Sequence, residues 1–228
     1  LILHGWGSCA KNWQMVKEGL EGGGYKVFLP DLPGFGENPP LSQASGGIDD
    51  YVEWVKDYCG KNSLSQIFLL GHSFGGNIAF KFALKYPERI EKLILVDPAL
   101  IRVKNVKREI MAKVAKILKL FAFLPFYSLA RKIFYRFVAR RSDYPDTEGP
   151  MRETYLNVVK EDFSGLVSDI SVPTVLIWGE RDKITSLKDG YFIKERITGA
   201  VLEVLLGVGH SSQTENPELL VKTILKNL

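Results

Sequence analysis

The chain has 228 residues, 46% of them hydrophobic and 25% charged, with a formal net charge of +4, which suits one domain with a full core. No stretch is long enough and free enough of charge to span a bilayer. Two cysteines are too few for a disulfide framework and fit a reducing cytoplasm.

The opening run Leu1-Ile2-Leu3 reads as a strand, near 1–4, that ends in the glycine-rich loop His4-Gly5-Trp6-Gly7. Glycine there lets the backbone approach a ligand closely. His4 is read as fixing this loop by hydrogen bonds, and Cys9 as packing beside it. A helix near 11–21 and a strand near 26–30 lead into Leu29-Pro30-Asp31-Leu32-Pro33-Gly34-Phe35-Gly36, and a helix follows near 47–60.

The next segment carries the chemistry. An apolar run, Ile67-Phe68-Leu69-Leu70, forms a strand near 66–70 and enters Gly71-His72-Ser73-Phe74-Gly75, after which a helix spans roughly 75–86. G-x-S-x-G on a strand-to-helix turn is a nucleophile elbow. The turn is too sharp for bulky flanking residues, and it lifts the serine hydroxyl clear of the sheet. The following helix points its N-terminal N–H groups toward the serine, which favours developing negative charge.

A strand near 92–97 ends at Asp97. Residues 98–165 then read as an insertion that forms a helical cap. From Leu100 to Arg141 there are 12 Lys or Arg and one acid, Glu109, so this stretch is +11 in a chain of +4 and the remainder is −7. Val103, Val106, Ile110, Val114, Ile117 and Phe121 recur at helical spacing, with Lys104, Arg108, Lys116 and Lys119 mostly opposite. Pro125 breaks that helix, and a second, from Ser128 to Arg141, exposes Arg131, Lys132, Arg136, Arg140 and Arg141. Three roles stand open for this cap: a solvated lid, a dock for an acidic carrier such as acyl carrier protein or a CoA thioester, and an anionic membrane surface site. Nucleic acid is set aside, because no reading motif accompanies the charge.

Strands near 173–178 and 201–206 and helices near 188–196 and 216–227 complete the alternation. The strands are continuous apolar runs, which predicts a parallel sheet buried on both faces, with 1–97 and 166–228 as its core unit. Asp182 follows the first of these strands, in Trp178-Gly179-Glu180-Arg181-Asp182. His210 follows the second, in Gly207-Val208-Gly209-His210-Ser211, on a loop expected to be mobile.

A serine nucleophile needs a base, and the chain holds 3 histidines. His72 leaves the elbow in a different direction from Ser73 and is read as loop support, so the base falls to His210. The acid that orients it is read as Asp182, in the order Ser…Asp…His, with Asp97 as the rival and Glu180 as a substitute. The oxyanion would be held by the backbone N–H of Phe74, directly after the nucleophile, and that of Trp6. His4, Gly5 and His72 support the pocket. No metal or organic cofactor is implied.

Taken together these residues resemble the α/β-hydrolase superfamily over nearly the whole chain. Tyr86-Pro87-Glu88-Arg89-Ile90 looks like its usual exit from the elbow helix, Leu29–Gly36 like its strand-four loop, and Arg181 and Asn216-Pro217 fall at familiar places. The implied fold is α/β, a mostly parallel sheet flanked by helices with a helical cap. In that fold Leu1 begins inside the third strand, so the sequence is read as N-terminally truncated, with the first strands missing. His-Gly-Trp-Gly with Asp-Leu-Pro-Gly-Phe-Gly is also similar to the carboxylesterases that cleave pimeloyl-carrier-protein methyl ester. Those usually carry Trp where this chain has His72.

The resemblance implies a cytoplasmic, or peripherally membrane-bound, serine hydrolase that cleaves a small-molecule carboxylic ester or thioester through an acyl-enzyme. Carbon–carbon bond hydrolysis and acyl transfer would use the same triad. A ligand receptor that keeps the triad and a membrane-surface lipase stand as further alternatives. A serine at the elbow argues against the aspartate-dependent haloalkane dehalogenases and epoxide hydrolases.

Overall fold

The computed structural model describes residues 1–41, 46–102 and 150–228. Among them are five strands: β1 (Ile2–Leu3), β2 (Ile67–His72), β3 (Ile90–Val96), β4 (Thr174–Gly179) and β5 (Val201–Leu205). The helices are α1 (Gln14–Gly22), α2 (Ile48–Lys61), α3 (Phe74–Lys85), α4 (Pro150–Val158), α5 (Leu187–Lys194) and α6 (Pro217–Lys226), with a single helical turn at Ser212–Glu215.

The strands make one parallel sheet in chain order. In register, Leu3 lies opposite Gly71, Gly71 opposite Leu95, Leu95 opposite Leu176, and Leu176 opposite Leu202. Successive residues of a strand face opposite sides, and here both sides are apolar. Leu3, Leu69, Leu93, Leu95 and Leu176 enter a core with Ile48, Val52 and Val55 of α2, Ile78 and Phe82 of α3 and Ile193 of α5. Ile2, Leu70, Ile94, Val96, Val175 and Ile177 enter a second core with Val16 and Leu20 of α1 and Leu220 and Ile224 of α6. Two covered faces explain why β2, β3 and β4 read as apolar runs, whereas the edge strand β5 is half-exposed and carries Glu203.

Local chemistry marks the helix starts. Asp50 in the first turn of α2 accepts the Gly47 N–H at 2.7 Å. At α6, the Asn216 side chain accepts the Leu219 N–H at 3.1 Å, and Pro217 occupies the first turn, where its missing N–H costs nothing.

The expected strand near 26–30 does not form. The segment runs beside β1, and the Ile2 N–H donates to the Phe28 carbonyl at 2.9 Å. One bond does not make a ladder, and the two residues of β1 offer little to extend it. The chain divides into two units, Leu1–Arg102 with Glu148–Leu228, and Val103–Thr147. The expected cap helices between Val103 and Arg141 lie outside the described residues. α4 belongs to the first unit: Met151 sits where a Cβ on Gly34 would stand, and the Tyr155 ring meets Trp6 at 5.1 Å. Among the described residues no helix is long and apolar enough to cross a membrane.

Candidate active site

The carboxyl end of the sheet gathers the candidate catalytic residues. His4 to Trp6 follow β1, Ser73 follows β2, Asp97 follows β3, Asp182 lies just past β4, and His210 lies past β5. In open α/β sheets this edge is where ligands bind.

Ser73 adopts φ 51 and ψ −113, a left-handed backbone that a non-glycine residue holds at a cost of about 1–3 kcal/mol. Its surroundings maintain it. The Ser73 N–H donates to the Val96 carbonyl at 3.0 Å, tying the turn to the end of β3. A Cβ on Gly71 would strike the Gly75 carbonyl, and one on Gly75 would strike the Leu3 and His4 carbonyls. The glycines of the motif are therefore required by close backbone approach.

Ser73 Oγ lies 3.0 Å from His210 Nε2, and His210 Nδ1 lies 2.7 Å from Asp182 Oδ2. The Asp182 side chain is fully buried, and it accepts further bonds from Thr185 Oγ1 at 2.6 Å and from the N–H groups of Ile184 at 2.6 Å and Thr185 at 3.0 Å. Burial would raise the Asp182 carboxyl, but the hydrogen bonds from His210 and Thr185 outweigh it and hold it below the usual aspartate value. Hydrogen bonds to the charged form have that sign.

Asp97 is placed differently. It is fully buried, its Oδ1 accepts the Gly179 N–H at 2.8 Å, and its Oδ2 has no partner among the described residues. Burial, with the Asp182 carboxyl nearby, pushes it up to about 9. It makes no hydrogen bond to His210 among the described contacts, so the geometry favours Asp182 as the orienting acid. Glu180, the other alternative, turns away to accept the Gly207 N–H at 2.8 Å.

The remaining histidines are structural in their contacts. His72 Nε2–H donates to the His210 carbonyl at 2.8 Å, and burial, followed by the neighbouring His210, lowers its pKa to about 3. His72 is thus neutral and braces the loop that carries His210. His4 is fully buried, with Nδ1–H donating to the Gly5 carbonyl and Nε2 accepting the Leu32 N–H, both at 2.9 Å. Burial lowers its pKa too. Gly5 packs against the His72 ring so closely that a Cβ would lie 2.8 Å from Nδ1. The N–H groups of Trp6 and Phe74 have no acceptor among the described residues, so both are available to an oxyanion. The Trp6 ring meets Phe35 at 4.9 Å and Phe74 at 5.2 Å, an aromatic wall beside the serine.

Three contributors lie outside the sequence reading. Thr185 clamps Asp182, and the spacing Asp182-x-x-Thr185 of a side-chain-closed turn was the available signal. Asp31 accepts the Ala10 N–H at 2.6 Å and the Glu37 N–H at 3.3 Å, organising the loop beneath His4. Glu215 accepts the Gly209 and Ser211 N–H groups, so the loop expected to be mobile is held on both sides of its histidine. Ligating atoms of His72, Asp97 and His210 lie within 4.8 Å of one another. Both His210 nitrogens already face Ser73 and Asp182, so a cation there would have to break that relay.

A family model described as alpha/beta hydrolase fold matches residues 1–217. A 2-hydroxy-6-oxononadienedioate/2-hydroxy-6-oxononatrienedioate hydrolase of Escherichia coli K12 is 25% identical, with 100% of this chain and 86% of that protein covered. Among solved structures, an esterase from Exiguobacterium antarcticum superposes with a TM-score of 0.74 at 21% identity, covering 99% of this chain and 89% of that one. A meta-cleavage product hydrolase from Pseudomonas fluorescens IP01 superposes with a TM-score of 0.72 at 19% identity, covering 99% and 88%.

Proposed function

The chain belongs to the alpha/beta hydrolase family, and from that premise we propose that it cleaves a carboxylic ester or thioester through an acyl-enzyme on Ser73. The observation that supports this reading is the continuous relay from Ser73 Oγ through His210, at 3.0 Å, to Asp182, at 2.7 Å. In this reading Ser73 Oγ attacks the acyl carbon while His210 Nε2 takes its proton. The oxyanion is held by the Phe74 and Trp6 N–H groups, each worth about a hundredfold or more in rate. The intermediate collapses, the alcohol or thiol leaves with the proton from His210, and the acyl group stays on Ser73. Water then attacks with His210 as base, releasing the acid and restoring the serine. Asp182 remains ionised throughout, orienting His210 and stabilising the imidazolium.

The Escherichia coli relative supports a second reading. The 2-hydroxy-6-oxononadienedioate of its name contains no ester or amide, so a hydrolase acting on it must break a carbon–carbon bond beside the 6-oxo carbonyl. The same serine could attack that carbonyl, with a carbon leaving group in place of oxygen or sulfur. The aromatic wall of Trp6, Phe35 and Phe74 suits an apolar acyl chain under the first reading, and the free thiols Cys9 and Cys59 suit a reducing cytoplasm. A helical cap over residues 98–165 belongs to the same proposal.

The test is pre-steady-state kinetics on a chain-length series of p-nitrophenyl esters, run beside 2-hydroxy-6-oxononadienedioate, with wild type and Ser73→Ala. A burst and turnover on the esters that Ser73→Ala lacks is the expected result. Turnover of the dienedioate alone would move the assignment to carbon–carbon cleavage. Equal, negligible rates of both proteins on all substrates would sink both.

A further inference from the structure

The loop that carries the base has two glycines in its five residues, Gly207 and Gly209, and such a segment loses much freedom on folding. It nonetheless holds His210 in line with two partners, so something must fix its backbone. Three consecutive residues are tied. The Gly209 N–H donates to Glu215 Oε2 at 2.6 Å, the His210 carbonyl accepts His72 Nε2–H at 2.8 Å, and the Ser211 N–H donates to Glu215 Oε1 at 3.1 Å. One carboxylate therefore grips the residues on either side of the histidine, an oxygen for each.

Helix capping accounts for only half of this. The turn Ser212–Glu215 follows Ser211, and a carboxylate in a first turn that reaches back to the N-terminal flanking N–H is ordinary capping. The Gly209 N–H lies outside any helix, and its bond is the shorter of the two. Reaching it satisfies no orphan donor of the turn. What it does is close the backbone around His210.

We propose that Glu215 is a positioning residue for the general base, setting the His210 ring against Ser73 through the two backbone N–H groups that flank it. The proposal rests on the acyl-enzyme reading, since it gives Glu215 a role only if His210 acts as base. A misplacement of about 1 Å in such a relay can cost a hundredfold in rate. Gln at this position puts an NH2 donor where one carboxylate oxygen now accepts, so it can keep one of the two bonds but not both, whereas Ala can hold neither.

The experiment compares wild type, Glu215→Gln, Glu215→Ala and Ser73→Ala. It measures the second-order rate of Ser73 labelling by a fluorophosphonate, kcat and KM on p-nitrophenyl butyrate, and the thermal midpoint. Labelling and kcat are expected to fall about ten- to a hundredfold in Glu215→Ala, with Glu215→Gln between it and wild type. KM should stay near wild type in both and the thermal midpoint should fall no further than loss of an ordinary cap allows, whereas a purely structural cap would leave labelling and kcat near wild type. Labelling of Glu215→Ala at the wild-type rate would overturn the proposal. So would a loss matched by a raised KM and a midpoint lowered beyond that in both variants. A wild type that leaves Ser73 unlabelled would sink the acyl-enzyme reading first, and this inference with it.

Discussion

Asp182 accepts hydrogen bonds from His210 Nδ1, Thr185 Oγ1 and the N–H groups of Ile184 and Thr185, whereas Asp97 accepts one from Gly179. A buried carboxylate keeps its charge only where donors replace water, so Asp182 is ionised and Asp97 is held neutral. Asp182→Asn should present the wrong partner to His210 Nδ1 and lower kcat by about 10⁴-fold, with wild-type folding by circular dichroism. Asp97→Asn should act on stability instead. Its folded-state pKa of about 9 lies above the ordinary 3.8, so its contribution is intact below pH 3.8 and is lost as pH rises toward 9. Asn carries no such penalty and still offers an oxygen to the Gly179 N–H. The variant should therefore gain stability over wild type progressively from pH 4 to 9, as read by urea midpoints across that range. A difference that is constant with pH would refute this. Asp182, Glu215, His72 and His210 are the titratable groups around Asp97, and they do not change in the variant. From the chain alone both aspartates were visible as strand-end acids, because position follows from the apolar runs. The division between them was not, because the number of donors around a carboxylate is a tertiary property.

The elbow joins two elements, β2 and α3, and its geometry fixes where β1 must lie. Gly75 stands against the Leu3 and His4 carbonyls, at the end of β1, so the loop bearing Trp6 is held next to the N-terminus of α3 bearing Phe74. Gly75→Ala forces a methyl into two backbone oxygens that cannot rotate away. It should cost about 1–3 kcal/mol or more and should also separate the two N–H groups proposed to hold the oxyanion. The expected outcome is a lowered urea midpoint, with kcat falling further than destabilisation explains in the fraction that stays folded. A midpoint and kcat equal to wild type would show that β1 yields freely. This level of organisation was largely legible in advance. Ile67–Leu70, Leu93–Val96 and Val175–Trp178 read as strands because both sheet faces are covered and each residue is apolar. The run near 26–30, Lys-Val-Phe-Leu-Pro, has only three apolar residues at its centre and did not pair as a ladder, since strand formation needs a neighbour with free donors and acceptors in register. α4 lay unassigned inside the expected cap, because its apolar stripe of Met151, Tyr155 and Val158 is short and interleaved with polar residues.

Across the whole molecule the charge is divided, with +11 between Leu100 and Arg141 against −7 on everything else. Such a division is an argument about association and not about fold. We infer that the basic segment attracts an anionic surface. Each Lys or Arg near an anionic leaflet contributes about 1 kcal/mol, and the attraction decays within a Debye length of about 8 Å at physiological salt. Engagement of only four or five of the 12 basic residues would then suffice for measurable binding, and the acidic remainder would orient the molecule by repulsion. The measurement is cosedimentation with vesicles of phosphatidylcholine alone or mixed with phosphatidylserine, at low and physiological salt. Binding to the mixed vesicles only, weakened by salt and lost in the variant Arg131→Glu, Arg136→Glu, Arg140→Glu, is the expected result. If the wild type ignores both vesicles at low salt, the inference fails, and the charge is left as a solvated face or a dock for an acidic carrier. If it binds both equally and the triple variant does too, the attachment is apolar, and the stripe from Val103 to Phe121 becomes the segment to test.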